Sequence, residues 1–308
     1  MKRERIHRIL APNPSAMTLE GTNSFLIDAG EGRAIALDPG PAIPAHIERI
    51  AATAAGLRLR IEAILVTHGH PDHAPGAAPL AERTGAPVYA HTAAAFAYDR
   101  ALADGESLRV GATSLVAFAA PGHAPDHLVF ALEAARALFT GDVVVGRGTI
   151  LIAPPGGEMR AYQGTLGRLR ELARSAEAIY GGHGDTISAP LAKIDEYLRH
   201  REARESAILE ALAEGPRTIP QLVAQIYRDT PRALRGAAAR QILAHLIALE
   251  RETRVLAEDL ERPLEAHEDE ILNPDVDAFV DVESRAVARA ELGVSERVVR
   301  LKTYELKV

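Results

Sequence analysis

The alternation of apolar and polar positions divides the first two-thirds of the chain into short strands punctuated by glycine and proline. Two apolar runs, Thr22 to Asp28 and Ala34 to Asp38, flank Ala29-Gly30-Glu31-Gly32-Arg33, a hairpin signal with glycines where positive φ is needed. Asp38-Pro39-Gly40-Pro41 ends the second run, and Ile43 to Ala55 has the spacing of a helix. Ile61 to Val66 is continuously apolar and predicts a buried strand. Beyond it, Ala77 to Thr84 predicts a short helix, Pro87 to Ala90 and Ser114 to Ala119 predict strands, and His127 to Leu132 with Ala137 to Thr140 predict a second hairpin. Glu158 to Arg174 reads as a helix and Ala178 to Tyr180 as a strand. Strands and helices alternate, yet hairpins recur. The pattern therefore predicts an α/β protein with two mixed sheets and helices outside.

From Pro190 the spacing becomes helical. Leu191 to Ala213 predicts a long helix stopped by Gly215-Pro216. A second helix starts at Thr218-Ile219-Pro220 with Leu222, Val223 and Ile226 on one face, and a third, Ala237 to Glu252, carries Ile242, Leu246 and Leu249. Arg254-Val255-Leu256 follows as a strand, which is the layout of a small winged-helix unit. The expected division is residues 1–190, 191–257 and an acidic linker with C-terminal extension at 258–308. Within the last part, Glu258 to Asp277 reads as a linker because it is acidic and contains Pro263 and Pro274. Val276 to Leu292 predicts a helix stopped by Gly293. Val298 to Val308 predicts a strand whose polarity phase slips near Thr303, the sign of a bulge or an edge. That strand is read as either a homodimer contact or a flexible appendage.

Composition narrows the chemistry. The 308 residues contain no cysteine, so any metal must be held by His, Asp or Glu. The net charge is -7, and 4% aromatic residues with no tryptophan argue weakly against a broad stacking platform for single-stranded nucleic acid. The charged start, Met1 to His7, precedes no apolar export segment, and no run approaches a membrane span. The expectation is a cytoplasmic protein with no membrane partner.

The candidate chemistry sits at strand ends. Thr67-His68-Gly69-His70-Pro71-Asp72-His73 packs three imidazoles and a carboxylate behind the apolar run Ile61 to Val66. Side chains two apart along extended chain point the same way, so His68 and His70 can share one ion. Pro71 breaks the strand and lets Asp72 and His73 turn toward a second. Imidazole nitrogen and carboxylate oxygen suit zinc, and also iron or manganese. Three later strand ends carry further potential ligands: His123 after Pro-Gly, Asp142 after Thr-Gly and His183 between glycines. Each alone is more often a capping or core residue; together they form a pattern.

The set HGHPDH (68–73), PGH (121–123), TGD (140–142) and GGHG (181–184) resembles the metallo-β-lactamase superfamily, whose fold is an αββα sandwich. MTLEGTNSFLI, PGHAPDH and GGHG followed by KIDEYLRHREARE resemble its beta-lactamase-like protein 2 branch, which also carries a winged helix. The resemblance covers residues 6 to 256. It implies that His68, His70 and His123 hold a first metal, that Asp72, His73 and His183 hold a second, and that Asp142 bridges both. It also implies two divalent ions, Zn2+ first, and hydrolysis by a metal-bound hydroxide that Asp72 orients. His127 is a group behind the ligands, a substrate contact or a structural histidine; Thr22 and Asn23 line the pocket, with a turn role as the alternative for Asn23. The substrate expected is a small-molecule ester or thioester. The alternatives are a single-strand-selective endoribonuclease, an activity of the resembling branch, and a metal-responsive nucleic-acid-binding protein. Arg228, Arg232, Arg235 and Arg240 are either a contact to single-stranded RNA or a solvated face, the latter favoured by the acidic net charge.

Overall fold

A computed structural model describes residues 5–261 and 300–307. The chain forms two compact units, Met1–Ile150 with Gly164–Tyr197 and Leu151–Gln163 with Leu198–Val308. In the first unit, β1 (Ile6–Leu10), β2 (Asn23–Gly30), β3 (Arg33–Leu37), β4 (Arg60–Leu65), β5 (Val88–His91) and β6 (Arg100–Leu102) form one sheet in that order. β1, β2 and β3 pair antiparallel, and β3 to β6 pair parallel. The second sheet runs β11 (Ala178–Gly181), β10 (Ala137–Gly141), β9 (Leu128–Leu132), β8 (Thr113–Ala119) and β7 (Ser107–Val110). Only β10 and β11 are parallel in it. Both sheets are mixed, as the recurring hairpins predict.

The strand pattern explains the layering. Phe25, Ile27, Ile35, Leu37, Ala63 and Leu65 face the second sheet, where Leu115, Leu128, Phe130, Phe139 and Tyr180 meet them. The alternate positions Leu26, Ala34, Ala36, Ile61, Ile64 and Val66 face outward against helices α1 (Pro44–Gly56) and α2 (Ala77–Thr84). Ile61 and Ala63 lie on opposite faces although two apart, because the β3–β4 register shifts at this point. Strands buried on both faces read as continuous apolar runs, which is why Ile61 to Val66 shows no alternation. Proline in the first turn starts α1, and Gly85 in a left-handed conformation ends α2. Residues 164–173 of α3 (Met159–Ala173) and residues 190–197 of α4 (Pro190–Ala213) belong to this first unit. There Thr165 donates to the Pro121 carbonyl at 2.7 Å, and the Val145 N–H donates to the Tyr197 hydroxyl at 3.1 Å. The unit is an αββα sandwich.

β1, β6 and β7 escaped the sequence reading. They are edge strands of three to five residues, too short and too exposed to carry a period.

In the second unit, α5 (Ile219–Ile226) and α6 (Arg235–Arg251) pack with the end of α4 around Ile208, Leu212, Leu222, Val223, Ile242, Leu246 and Leu249. Thr218 and Gln221 form a reciprocal capping box at the start of α5. A three-stranded sheet runs β12 (Arg217–Thr218), β14 (Arg300–Leu306), β13 (Val255–Glu261). Two expectations are corrected here. Glu258 to Glu261 are strand rather than linker, because their backbone groups pair with β14 while the acidic side chains of Glu258 and Asp259 stay exposed. β14 is central rather than an edge, and its pairing with β13 runs from Val255↔Leu306 to Glu261↔Arg300 without a bulge. The phase slip near Thr303 arises because Tyr304 is the buried contact to the helices, while its neighbours are partly or fully exposed. The helix expected over Val276 to Leu292 lies outside the described residues.

Candidate metal centre

Every candidate ligand lies just beyond a strand. β4 runs through Val66 into Thr67 and His68, and the His73 and Ala74 N–H groups both donate to the His70 carbonyl, curling the chain so that Asp72 and His73 turn back. The Leu128 N–H donates to the Thr67 carbonyl at 2.7 Å, joining this loop to the second sheet. His123 follows β8, Asp142 follows β10 and His183 follows β11. A T-shaped and stacked trio, Phe25, Phe139 and Tyr180, with centroids 5.1 to 5.5 Å apart, locks β2, β10 and β11 together close to their functional ends. Such pairs contribute about 0.5–1.5 kcal/mol each beyond their burial.

All seven sequence-predicted ligands meet. His68, His70, His123 and Asp142 form one group and Asp72, His73 and His183 a second, each with its potential ligand atoms within 4.8 Å of one another. In the first group His70 Nδ1 lies 2.9 Å from His68 Nε2 and 3.0 Å from His123 Nε2. Asp142 faces both groups. Its Oδ1 is 3.4 Å from His73 Nε2 and 3.3 Å from His183 Nε2, and its Oδ2 is 3.7 Å from His123 Nε2. Asp72 Oδ2 is 3.3 Å from His73 Nε2 and 3.2 Å from His183 Nε2.

The surrounding hydrogen bonds test whether these groups suit a cation. Thr67 Oγ1 donates to Asp38 Oδ2 at 2.8 Å, so it can only accept from His68 Nδ1 at 3.0 Å. His73 Nδ1 donates to Asp38 Oδ2 at 2.9 Å, and His183 Nδ1 donates to the Gly21 carbonyl at 3.2 Å. All three rings therefore carry their outer proton on Nδ1 and aim Nε2 inward, the orientation that outer partners impose on metal-ligating histidines. His73 Nε2 and Asp142 Oδ1 are buried without a hydrogen-bond partner among the described residues. Ring nitrogens and carboxylate oxygens converging from two sides, with only long contacts between them, suit a cation.

The electrostatics agree. Burial, then the neighbouring imidazoles, lowers His68 well below the usual range, and the same causes lower His127. Burial also pushes His73 and His183 down, but the Asp72 and Asp142 carboxylates outweigh it. His73 ends well above the usual range and His183 is pushed up to about 10. Burial would raise Asp72 and Asp142, yet the facing imidazoles hold both well below the usual carboxylate range. The rings and carboxylates together favour positive charge between them, which a divalent ion would also supply.

Glycine is required where ligands crowd. A β-carbon on Gly182 would lie 2.5 Å from Asp142 Oδ1 and 2.6 Å from His73 Cε1. One on Gly141, at φ +46°, would meet Thr67 Oγ1 at 2.6 Å and His127 Nε2 at 2.8 Å.

The remaining candidates now have roles. His127 stands behind the ligands: its Nε2 accepts from the Asp142 N–H at 3.1 Å, and its ring stacks on His68 at 4.5 Å. Thr22 Oγ1 donates to Asp72 Oδ2 at 3.0 Å. Asn23 is buried in β2, and its Nδ2 donates to the Gly181 and Gly184 carbonyls, pinning the His183 loop. Sequence reasoning missed two acids. Asp38 accepts from the Thr67 N–H, the Thr67 hydroxyl and His73, and Asp126 Oδ2 accepts from the Gly69 N–H at 2.9 Å. The available signal for Asp38 was its place at the end of β3, the parallel neighbour of the strand that delivers the histidines.

Seven side chains of metal-ligating type, gathered at the ends of two stacked sheets, form two groups that could hold metal ions. Residues 17–183 match the metallo-beta-lactamase superfamily, and residues 218–262 match the beta-lactamase associated winged helix domain. A beta-lactamase-like protein 2 homolog of Caenorhabditis elegans is 32% identical over 251 residues, covering 78% of this chain and 82% of that one. An atrochrysone carboxyl ACP thioesterase of Aspergillus chevalieri is 30% identical over 257 residues, covering 79% and 80%. A metallo-beta-lactamase family protein of Thermus thermophilus superposes with a TM-score of 0.69 at 24% identity over 83% of this chain and 96% of its own, a likeness of fold. The chain belongs to the metallo-beta-lactamase superfamily and is a metal-dependent hydrolase. Among the described residues no helix is long and apolar enough to cross a membrane.

Proposed function

We propose that this protein hydrolyses a small ester or thioester with two divalent ions, zinc foremost. His68, His70 and His123 hold one ion, Asp72, His73 and His183 the other, and Asp142 lies between them. The observation that carries this reading is the division of Asp142: one carboxylate oxygen faces each group of imidazoles. Divalent ions held there would supply Lewis acidity and activate water near neutral pH.

The chain's own residues supply the rest. Asp142, between the two groups, would offset the repulsion between cations held on either side of it. Asp72, fixed by the Thr22 hydroxyl, presents its carboxylate at the partly exposed side of the site, where it can orient the attacking water. Asp38, Thr67 and the Gly21 carbonyl keep the imidazoles in their ligating tautomers. The thioesterase named among the relatives supports an acyl substrate.

The arginines of the second unit favour the same reading over an endoribonuclease. Arg240 donates to the Pro154 carbonyl at 2.6 Å and Arg235 to the Thr230 carbonyl at 3.4 Å, so these two cations hold backbone. In α6, the helix that would enter a groove, Ala238, Ala239 and Gln241 to Leu246 are buried. The deciding experiment offers protein loaded with Zn2+, Mn2+ or Fe2+ to panels of acyl thioesters, lactones, phosphodiesters and single-stranded RNA. Metal-dependent thioester or ester turnover is expected; cleavage confined to RNA refutes the proposal.

A further inference from the structure

His46 is wholly buried in the first turn of α1, and the chemistry above does not use it. Its Nε2 lies 2.8 Å from the hydroxyl of Ser24, also buried, on β2. Burial, aided by the nearby Arg49 charge, lowers its pKa to about 4, so the ring is neutral over the working range. The pair forms the floor beneath Gly40, which sits at φ +81°. From the β-carbon position of Gly40, His46 Nε2 is 3.2 Å away, His46 Cδ2 3.3 Å and the Ser24 hydroxyl 3.5 Å.

Gly40 in turn holds the metal loop at its backbone. Its N–H donates to the His73 carbonyl at 3.1 Å, and its carbonyl accepts from the Gly76 N–H at 2.8 Å. Two residues earlier, Asp38 accepts from the His73 ring. The turn Asp38-Pro39-Gly40 thus grips His73 at both its carbonyl and its imidazole, and the ring and hydroxyl beneath Gly40 support that turn from the core side.

We propose that Ser24 and His46 are positioning residues: their hydrogen bond fixes the Asp38–Gly40 turn, and through it the imidazole that serves the Asp72–His73–His183 ion. The inference rests on the two-ion reading. It predicts a graded effect, because Gly40 bonds the His73 backbone directly, whereas the turn reaches His68 of the other group only through Asp38 and Thr67.

The test replaces His46 in the full chain by Phe, which fills the space without the bond, and by Gln, whose amide nitrogen can take the place of Nε2. Ser24→Ala removes the other partner. Zinc retention is measured by competition with a chromophoric chelator. In His46→Phe and Ser24→Ala one of two equivalents should leave at roughly tenfold lower chelator concentration, with the other shifted clearly less and His46→Gln near wild type. In metal-free, 15N-histidine-labelled protein the downfield Nδ1 proton of His73 should exchange faster in the Phe variant. Equal weakening of both equivalents with a lowered Tm overturns the proposal in favour of general packing. Unchanged zinc retention with an unchanged His73 proton also overturns it. A wild-type protein that never takes two equivalents refutes the two-ion reading instead, and the His73 proton then decides the clamp alone.

Discussion

Asp38→Asn separates orientation of a ligand from possession of it. Asp38 is buried and accepts three hydrogen bonds, from the Thr67 N–H at 2.7 Å, the Thr67 hydroxyl at 2.8 Å and His73 Nδ1 at 2.9 Å. Asparagine keeps the shape but has one carbonyl oxygen. With that oxygen toward the Thr67 N–H, its NH2 group faces both Thr67 Oγ1 and His73 Nδ1. His73 can accept from it only by moving its own proton to Nε2, the atom aimed at Asp72 and Asp142. A hydrogen bond to a charged acceptor contributes about 1.5–3 kcal/mol, so metal-free protein should lose about that much stability. Loss of an outer partner typically weakens metal binding by about 10–100-fold, or about 1.4–2.7 kcal/mol. Chelator competition on purified protein reads the second effect, and urea unfolding of the metal-free form reads the first. Wild-type retention of both ions by the variant would refute the tautomer argument, since no ligand-type atom has been removed.

Four further outcomes are expected. Asp142→Ala should abolish turnover and weaken at least one ion while far-ultraviolet circular dichroism is unchanged; full metal content with full turnover would show that Asp142 does not bridge. Gly182→Ala drives a methyl into Asp142 Oδ1 and His73, and overpacking of about 1–3 kcal/mol should appear in thermal melts together with lost metal retention. His73 and His183 have folded pKa values above the unfolded value of 6.5, His183 reaching about 10. Their pairing with Asp72 and Asp142 therefore stabilises metal-free protein fully below pH 6.5 and is lost as pH rises through the raised folded values, about 10 for His183. Zinc uptake at pH ~7.5 should accordingly release about two protons per chain, measurable by calorimetry in buffers of different ionisation heat. Replacing Arg228, Arg232, Arg235 and Arg240 by alanine should leave kcat/KM on an acyl substrate nearly unchanged, whereas a salt-dependent RNA affinity that these changes flatten would restore the nuclease reading.

The seven residues that gather in the candidate centre were legible in the sequence because metal chemistry restricts residue type and strand ends restrict place. His68, His70, Asp72 and His73 are close neighbours in the chain, and His123, Asp142 and His183 each carry a glycine beside them. The layered core was legible for a similar reason: strands buried on both faces cannot hide their apolar runs. The tertiary structure alone decided what is held by single atoms of otherwise ordinary residues. Asp38 looks like a turn former before Pro39, and only the parallel alignment of β3 with β4 brings its carboxylate under both Thr67 and His73. His127 has three open readings until the Asp142 N–H is found on its Nε2. Arg240 reads as one of a basic cluster until its guanidinium is found on the Pro154 carbonyl, 86 positions away. β14 reads as an edge until β12 and β13 are seen on either side of it. Local pattern reports burial and period, which are properties of a segment. Tautomer, bridging and strand order depend on partners distant in sequence, and those are fixed only when the chain closes on itself.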